Sequence, residues 1–251
     1  MSADHIAIVM AGALSGGFVA GLAGFGTGLV AVGIWLHALP PAVAASLVVI
    51  CSVVSQLQTI PTVWRYIRPR HVLPFIIPGL IGVPVGTRLL TDLNPDTFRF
   101  CIGILLLGFS VFSLLCGRGL KVKWDGRIAD GTVGLAAGVL GGLAGLSGPL
   151  PTMWAAIRGW DKDQRRSLFQ AFNLSILLAA LLSHAMTGHL TAEVGWAVIA
   201  ALPGTLIGAW LGSRVYLRLT DQHFHTIILC LLAFSGMTLL WGSWRAFCLV
   251  T

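Results

Sequence analysis

The chain has 251 residues, 56% of them hydrophobic and 10% charged, with a mean hydropathy of +0.88. Sixteen Lys+Arg and nine Asp+Glu cannot coat a soluble globule of this size, in which about a quarter of the residues would carry charge. Lipid must solvate much of the surface, and at roughly 20 apolar residues per span there is room for about eight spans and none for a soluble domain.

A net charge of +7 would suggest nucleic acid in a soluble protein. Here the basic residues lie in short loops between apolar runs, where membrane topology puts them. The runs are continuously apolar, unlike the alternating strands of a β-barrel. The first begins at Ile6 without a basic leader, so it is expected to be structure and not a cleaved signal. The five cysteines show no CxxC spacing and are expected to be packing residues.

The runs fall at about 5–38, 41–60, 72–91, 97–116, 128–157, 165–187, 192–217 and 223–243. The first and fifth exceed one crossing and carry their helix breakers in mid-run. In the first these are Gly16-Gly17 and Gly21-Leu22-Ala23-Gly24-Phe25-Gly26-Thr27-Gly28; in the fifth, Gly138, Gly141-Gly142 and Gly145-Leu146-Ser147-Gly148-Pro149-Leu150-Pro151. Two prolines this close delete helix donors and clash with the preceding turn. Both runs are predicted to be helices broken within the membrane.

The two runs also match each other. Gly21, Leu22, Ala23, Gly24 and Leu29 correspond to Gly142, Leu143, Ala144, Gly145 and Leu150, and Ser46-Leu47 to Ser167-Leu168. Pro78-Gly79 then meets Pro203-Gly204. After a one-residue insertion Ile81-Gly82, Gly86 and Arg88 meet Ile207-Gly208, Gly212 and Arg214. The expected fold is all-α and polytopic: two homologous repeats, each a glycine-broken helix or hairpin followed by three spanning helices. The boundaries are 1–116, a basic connecting loop at 117–127, and 128–251.

Charge suggests that the repeats are inverted. Loop 65–70 has three basic residues and its counterpart near 186–193 has none; 158–166 has four and its counterpart near 37–45 has none. If each broken run enters and leaves on one side, 65–70, 118–127, 158–166 and 214–218 all become cytoplasmic, with thirteen of the sixteen basic residues. Both termini then lie outside the inner (plasma) membrane of a multi-pass protein.

The doubled motif GLAGFGTG and GLAGLSGP, each followed by PG, IG and G(T/S)R, resembles the TauE/SafE sulfite exporter family, also called the sulfonate-uptake permeases. The resemblance covers about residues 6–245. It implies a membrane transporter of small anions, sulfur oxyanions and sulfonates among them. Only the second copy has the prolines after its glycines, so the two half-sites are not expected to be equivalent.

No Lys, Arg or acid stands in the middle of an apolar run. An anion must then be held by the broken helices, whose freed N–H groups and positive N-terminal ends can face it. The expected substrate-binding residues are Gly24, Phe25, Gly26, Thr27 and Gly28, with Gly145, Leu146, Ser147 and Gly148. Two amides, Gln56 and Asn173, are costly in lipid unless partnered, and are added as path-lining candidates; Gln170, Ser52, Ser55 and Ser175 are other polar residues in the runs. Packing without ligand is the alternative for every glycine. His184 is the candidate for proton coupling, while the histidines as a group fall near run ends and suit interfacial roles. Arg88 and Arg214 suit interfacial anchoring. Trp35, Trp64, Trp124, Trp160, Trp241 and Trp244 fit an aromatic belt, and Trp154, Trp196 and Trp210 are placed deeper as packing residues.

The expected function is secondary transport by alternating access. The alternatives are an anion channel and an intramembrane serine protease, the last because Gly145-Leu146-Ser147-Gly148 has a G-x-S-G pattern and His184 could act as base. Gly26 replaces Ser147 in the first copy, which weighs against catalysis. No catalytic residue, metal or cofactor is expected. The expected partners are a small anionic substrate and membrane lipid, with protons or sodium as coupling ions, a homo-oligomer left open, and no nucleic acid.

Overall fold

The computed structural model describes residues 3–62, 69–92, 126–148 and 162–216 as continuous stretches, with scattered residues between them and within 230–241. Every described element is a helix: α1 (Ala3–Ala23), α2 (Thr27–Trp35), α3 (Pro41–Thr59, then a 3-10 turn Ile60–Thr62), α4 (Pro69–Asp92), α5 (Arg127–Ala144), α6 (Lys162–Met186) and α7 (Ala192–Tyr216). Five of them contain stretches long and apolar enough to cross a membrane: His5–Ala23, Pro41–Thr59, Pro69–Leu90, Ser167–Met186 and Ala192–Val215. The runs expected at 97–116 and 223–243, and most of the 117–127 connection, lie largely outside the described residues.

The broken runs are hairpins. After Gly24–Gly26, α2 folds back along α1, so that Gly16 faces Ala31 and Gly12 faces the Trp35 ring. The Trp35 Nε1–H donates to the Val9 carbonyl at 3.0 Å, returning the chain toward the end where α1 began. In the fifth run, Trp154 Nε1 and Arg158 both donate to Asp130 in the first turn of α5, at 2.7 and 2.8 Å. Each hairpin thus enters and leaves at one end of the bundle.

α3 lies centrally, buried along most of its length. It runs antiparallel to α6: Ser46 near its start meets His184 near the end of α6, and Thr59 at its end meets Gln170. The most extensive contacts are α1 with α7 and α4 with α5. Both pairs are parallel and backbone to backbone. A Cβ on Gly17 or Gly21 would strike the backbone of Thr205 or Ala209, and one on Gly208 or Gly212 that of Leu14 or Phe18. In the other pair Gly138 and Gly142 oppose Gly79 and Val83, while Gly82 and Gly86 oppose Leu135 and Val139. The opposed positions correspond between the pairs, with Thr205 standing one residue past the match of Gly79 at the insertion. The PG…IG…G stretches of α4 and α7 are therefore the seams on which α5 and α1 pack. This is the close approach that small residues allow between membrane helices.

Polarity is distributed as lipid requires. Leu73, Ile77, Ile81 and Val85 on α4 and Trp196, Ile199, Ile207 and Trp210 on α7 face outward, whereas Thr27, Ser46, Gln56, Thr59, Gln170, Asn173 and His184 are buried. Two tryptophan expectations are corrected. Trp35 is wholly enclosed, fixed by its bond to Val9, because the hairpin folds its own helix end inward. Trp196 and Trp210 face outward and are not deep packing residues.

Gly142→Val should destabilise the protein by about 3 kcal/mol, the upper range for overpacking, because the opposing Val83 atoms are backbone and cannot rotate away. Gly195→Val, which meets nothing within 4 Å, should melt like wild type. Thermal unfolding in detergent checks both, and a wild-type melt for Gly142→Val would contradict the seam.

Candidate functional site

α1 stops at Ala23 because the next residues leave right-handed geometry. Gly24 has φ 75 and Gly26 has φ 103 with ψ 6, a left-handed conformation that glycine adopts without steric cost. α2 then starts at Thr27 with no side-chain cap on its first N–H groups. In the second hairpin Gly145 closes α5 with φ 67 and ψ 18. Its N–H returns to the Gly141 carbonyl at 2.9 Å, and that of Leu146 to Leu140 at 3.1 Å.

The two breaks meet. Phe25 lies against Gly148 and sets its ring edge-on to Phe169 at 5.7 Å; Gly28 faces the Gly145 carbonyl and the Leu146 side chain. Both press on α3: Val48 and Val49 at its middle abut Gly145, and Gln56 in its last turn donates Nε2–H to the Gly24 carbonyl at 2.6 Å. From α6, Asn173 Oδ1 accepts the Ser147 hydroxyl proton at 2.8 Å. The structure thus gathers Gly24–Gly28, Gly145–Gly148, Gln56 and Asn173 into one centre. It is enclosed: Phe25 is 5% exposed, Asn173 2% and Thr27 1%.

The described Lys and Arg side chains stay away from this centre. Arg70, Arg88, Arg127 and Arg214 are exposed, with Arg214 lying over the Trp210 ring at 4.7 Å. Arg158 pairs with Asp130. Among the described residues the centre therefore offers backbone dipoles, hydroxyls and amides and no cationic side chain.

His184 sits apart from the breaks. The Gly142 carbonyl can only accept, so the His184 Nε2–H donates to it at 2.8 Å, and Nδ1 accepts from Ser46 Oγ at 2.9 Å. The His189 ring lies 5.5 Å away, centroid to centroid. His184 thereby joins α6 to α5 and α3. The expectation of an interfacial histidine is corrected here: the side chain is wholly buried. Ser147 bonds Asn173 and His184 bonds Ser46, so the Ser147–His184 pair that the protease alternative called for is not formed.

Sequence reasoning missed Ser46 and Thr59 as partners. Ser46 was visible only as a residue matched between repeats, and Thr59 carried no signal beyond closing an apolar run. Thr59 Oγ1 accepts Gln170 Nε2 at 2.9 Å.

A family model described as sulfite exporter TauE/SafE matches residues 8–239, and the chain belongs to this family of membrane transporters. Neither a curated protein nor a solved structure gives a match. With its apolar helices, family membership makes this a multi-pass membrane protein of the sulfur-anion exporter type.

His184→Ala should cost about 2–4 kcal/mol, since it opens a cavity and strands the Ser46 and Gly142 groups. His184→Gln, which can still donate and accept, should recover part of the loss. Thermal unfolding of the two variants beside wild type measures the difference.

Proposed function

We propose that the chain is a secondary transporter of small anions, organosulfonates or sulfite-like sulfur oxyanions, working by alternating access at the meeting point of the two broken helices. The observation that carries this reading is the convergence of both breaks, with Thr27, Ser147 and Asn173, on one enclosed centre against α3, where Gln56 near the end of that helix holds the first break. An uncapped helix start attracts an anion through its N–H groups and dipole. With no described lysine or arginine there to trap the ligand, binding stays weak enough for release. The substrate role of these residues is part of the proposal, and so is proton coupling through His184.

The proposal includes an inverted repeat, residues 1–116 against 128–251 across the basic 117–127 connection. Three observations support it. The corresponding helices α3 and α6 run antiparallel. The two glycine seams correspond, with a shift of one residue at the Thr205 position. The third concerns charge: Trp160 touches His71 and Phe75, while α1 and α3 end together at the Gln56–Gly24 bond. These contacts bring the starts of α4, α5 and α6 to the same end of the bundle as the ends of α1, α3 and α7. Arg70, Arg127, Arg158 and Arg214 gather at that end, with Arg88 opposite. A cytoplasmic face there places both termini outside the inner membrane. Two similar halves can then rock about the centre.

Gly24→Leu and Gly145→Leu are poor probes, because left-handed φ and, at Gly145, the neighbouring Val48 make glycine structurally necessary. Thr27→Val, Ser147→Ala and Asn173→Leu are better. Each should lower saturable sulfite uptake into proteoliposomes about 10- to 100-fold, the value of one hydrogen bond to a charged ligand; Thr27→Val should melt close to wild type, and Ser147→Ala and Asn173→Leu, which strand one partner of a buried bond, should lose about 1–3 kcal/mol. Uptake at wild-type rates by all three would remove the site, and flux without saturation or counterflow would indicate a channel. A thermal-shift panel of sulfonates, sulfite, sulfate and small carboxylates would identify the substrate.

Topology has its own test. In a background lacking the native cysteines, single cysteines at positions 40 and 190 should label from outside, and those at 68, 122 and 162 should not. Labelling at 122 with protection at 190 would overturn the orientation.

A further inference from the structure

Two buried amide oxygens, Gln56 Oε1 and Gln170 Oε1, have no hydrogen-bond partner. Both side chains are deeply enclosed, Gln56 at 2% and Gln170 at 0% exposure, and their orientation is fixed. Gln56 must turn its NH2 to the Gly24 carbonyl, an acceptor only, at 2.6 Å. Gln170 turns its NH2 to Thr59 Oγ1 at 2.9 Å, because the Thr59 proton goes to the Ser55 carbonyl, also at 2.9 Å. Neither amide can flip without setting oxygen against oxygen. Thr59 lies one turn beyond Gln56 on the same face of α3, so its bond to Gln170 brings both amides to the last turn of that helix.

Buried oxygens that can only accept call for a cation or a hydrogen-bond donor. The backbone beside them favours a cation: α1 ends at Ala23, and Gln56 sits on the carbonyl that follows, at the negative end of the α1 dipole. Among the described residues no cluster of His, Cys, Asp or Glu suits a metal ion, and the described carboxylates are elsewhere, Asp130 on Arg158 and Glu193 at the start of α7. Among the described residues the site offers neutral oxygens and no carboxylate, which suits a monovalent alkali ion better than calcium or magnesium, which draw on carboxylates. We infer that Gln56 and Gln170, with Thr59 between them, form a sodium-binding site at the α1 end of the first break. It rests on the anion centre proposed above: one broken helix then offers its negative end to the cation and, three residues on, its positive end at Thr27 to the anion. Co-binding would offset the charge of the substrate and couple its movement to a sodium gradient.

The test compares purified protein in sodium chloride and in choline chloride at equal ionic strength. Sodium should raise the unfolding temperature saturably, and replacing it with choline should lower sulfite uptake into proteoliposomes about tenfold, a coupling of ordinary size. Gln170→Leu should abolish the sodium-specific shift, and Gln170→Glu, which keeps an oxygen and adds charge, should enlarge it. No shift over choline in wild type, as a bridging water would give, overturns the site; so does a full shift in Gln170→Leu. The wild-type comparison decides even where a variant fails to fold. Stabilisation by sulfite in choline chloride reads the anion centre separately, so either site can fail while the other stands.

Discussion

A helix that stops inside a bilayer leaves backbone groups that lipid cannot satisfy, and the protein must supply every partner. This chain stops two helices that way. At the first stop Gln56 reaches from α3 to the Gly24 carbonyl; at the second the Gly145 and Leu146 N–H groups return to their own helix, and Ser147 leans on Asn173. These demands explain why Thr27, Ser46, Gln56, Gln170, Asn173 and His184 are gathered inside, among buried apolar side chains, while the outward faces of α4 and α7 carry Ile77, Ile81, Trp196 and Trp210. They also explain why α3 is central. It is the strut against which both breaks rest.

The glycine seams solve a second problem, that of attraction between apolar helices already surrounded by apolar solvent. With no hydrophobic gain from contact, affinity comes from close packing. Gly82, Gly86, Gly138 and Gly142 allow α4 and α5 to touch at the backbone, and Gly17, Gly21, Gly208 and Gly212 do the same for α1 and α7. The seams use positions different from those that break the helices, so packing glycines and conformational glycines divide the motif between them. Gly145 needs its φ of 67, whereas Gly142 needs only room for the Val83 carbonyl.

Much of this was legible in the sequence because it rests on spacing. Run length pointed to the five described spans, mid-run glycines to the breaks, and the ordered matches between Gly21–Leu29 and Gly142–Leu150 to the family. What stayed hidden was pairing across the fold. Trp35 looked like a belt residue because position in a run does not reveal that α2 turns inward over Gly12. His184 looked interfacial because Ser46 and Gly142, its two partners, lie 138 and 42 residues away in the chain. Asp130 and Arg158 read as loop charges, yet they close the mouth of the second hairpin as a mutual pair. Each half of the PG…IG…G motif looked like a local signature, but its meaning lies in a helix from the other half.

That exchange has a consequence for biogenesis. α1 is made first, and α7, the helix that fills its seam, begins at Ala192. As the chain leaves the ribosome, the glycine face of α1 must wait in the membrane, unmatched, until most of the sequence has been inserted. α4 and α5 are closer in sequence and can dock early, forming a nucleus that holds the two halves together. α1 and α7 then close the structure last. A truncated chain ending before α7 would carry an open seam on α1, the kind of surface that membrane quality control or a stray helix could engage.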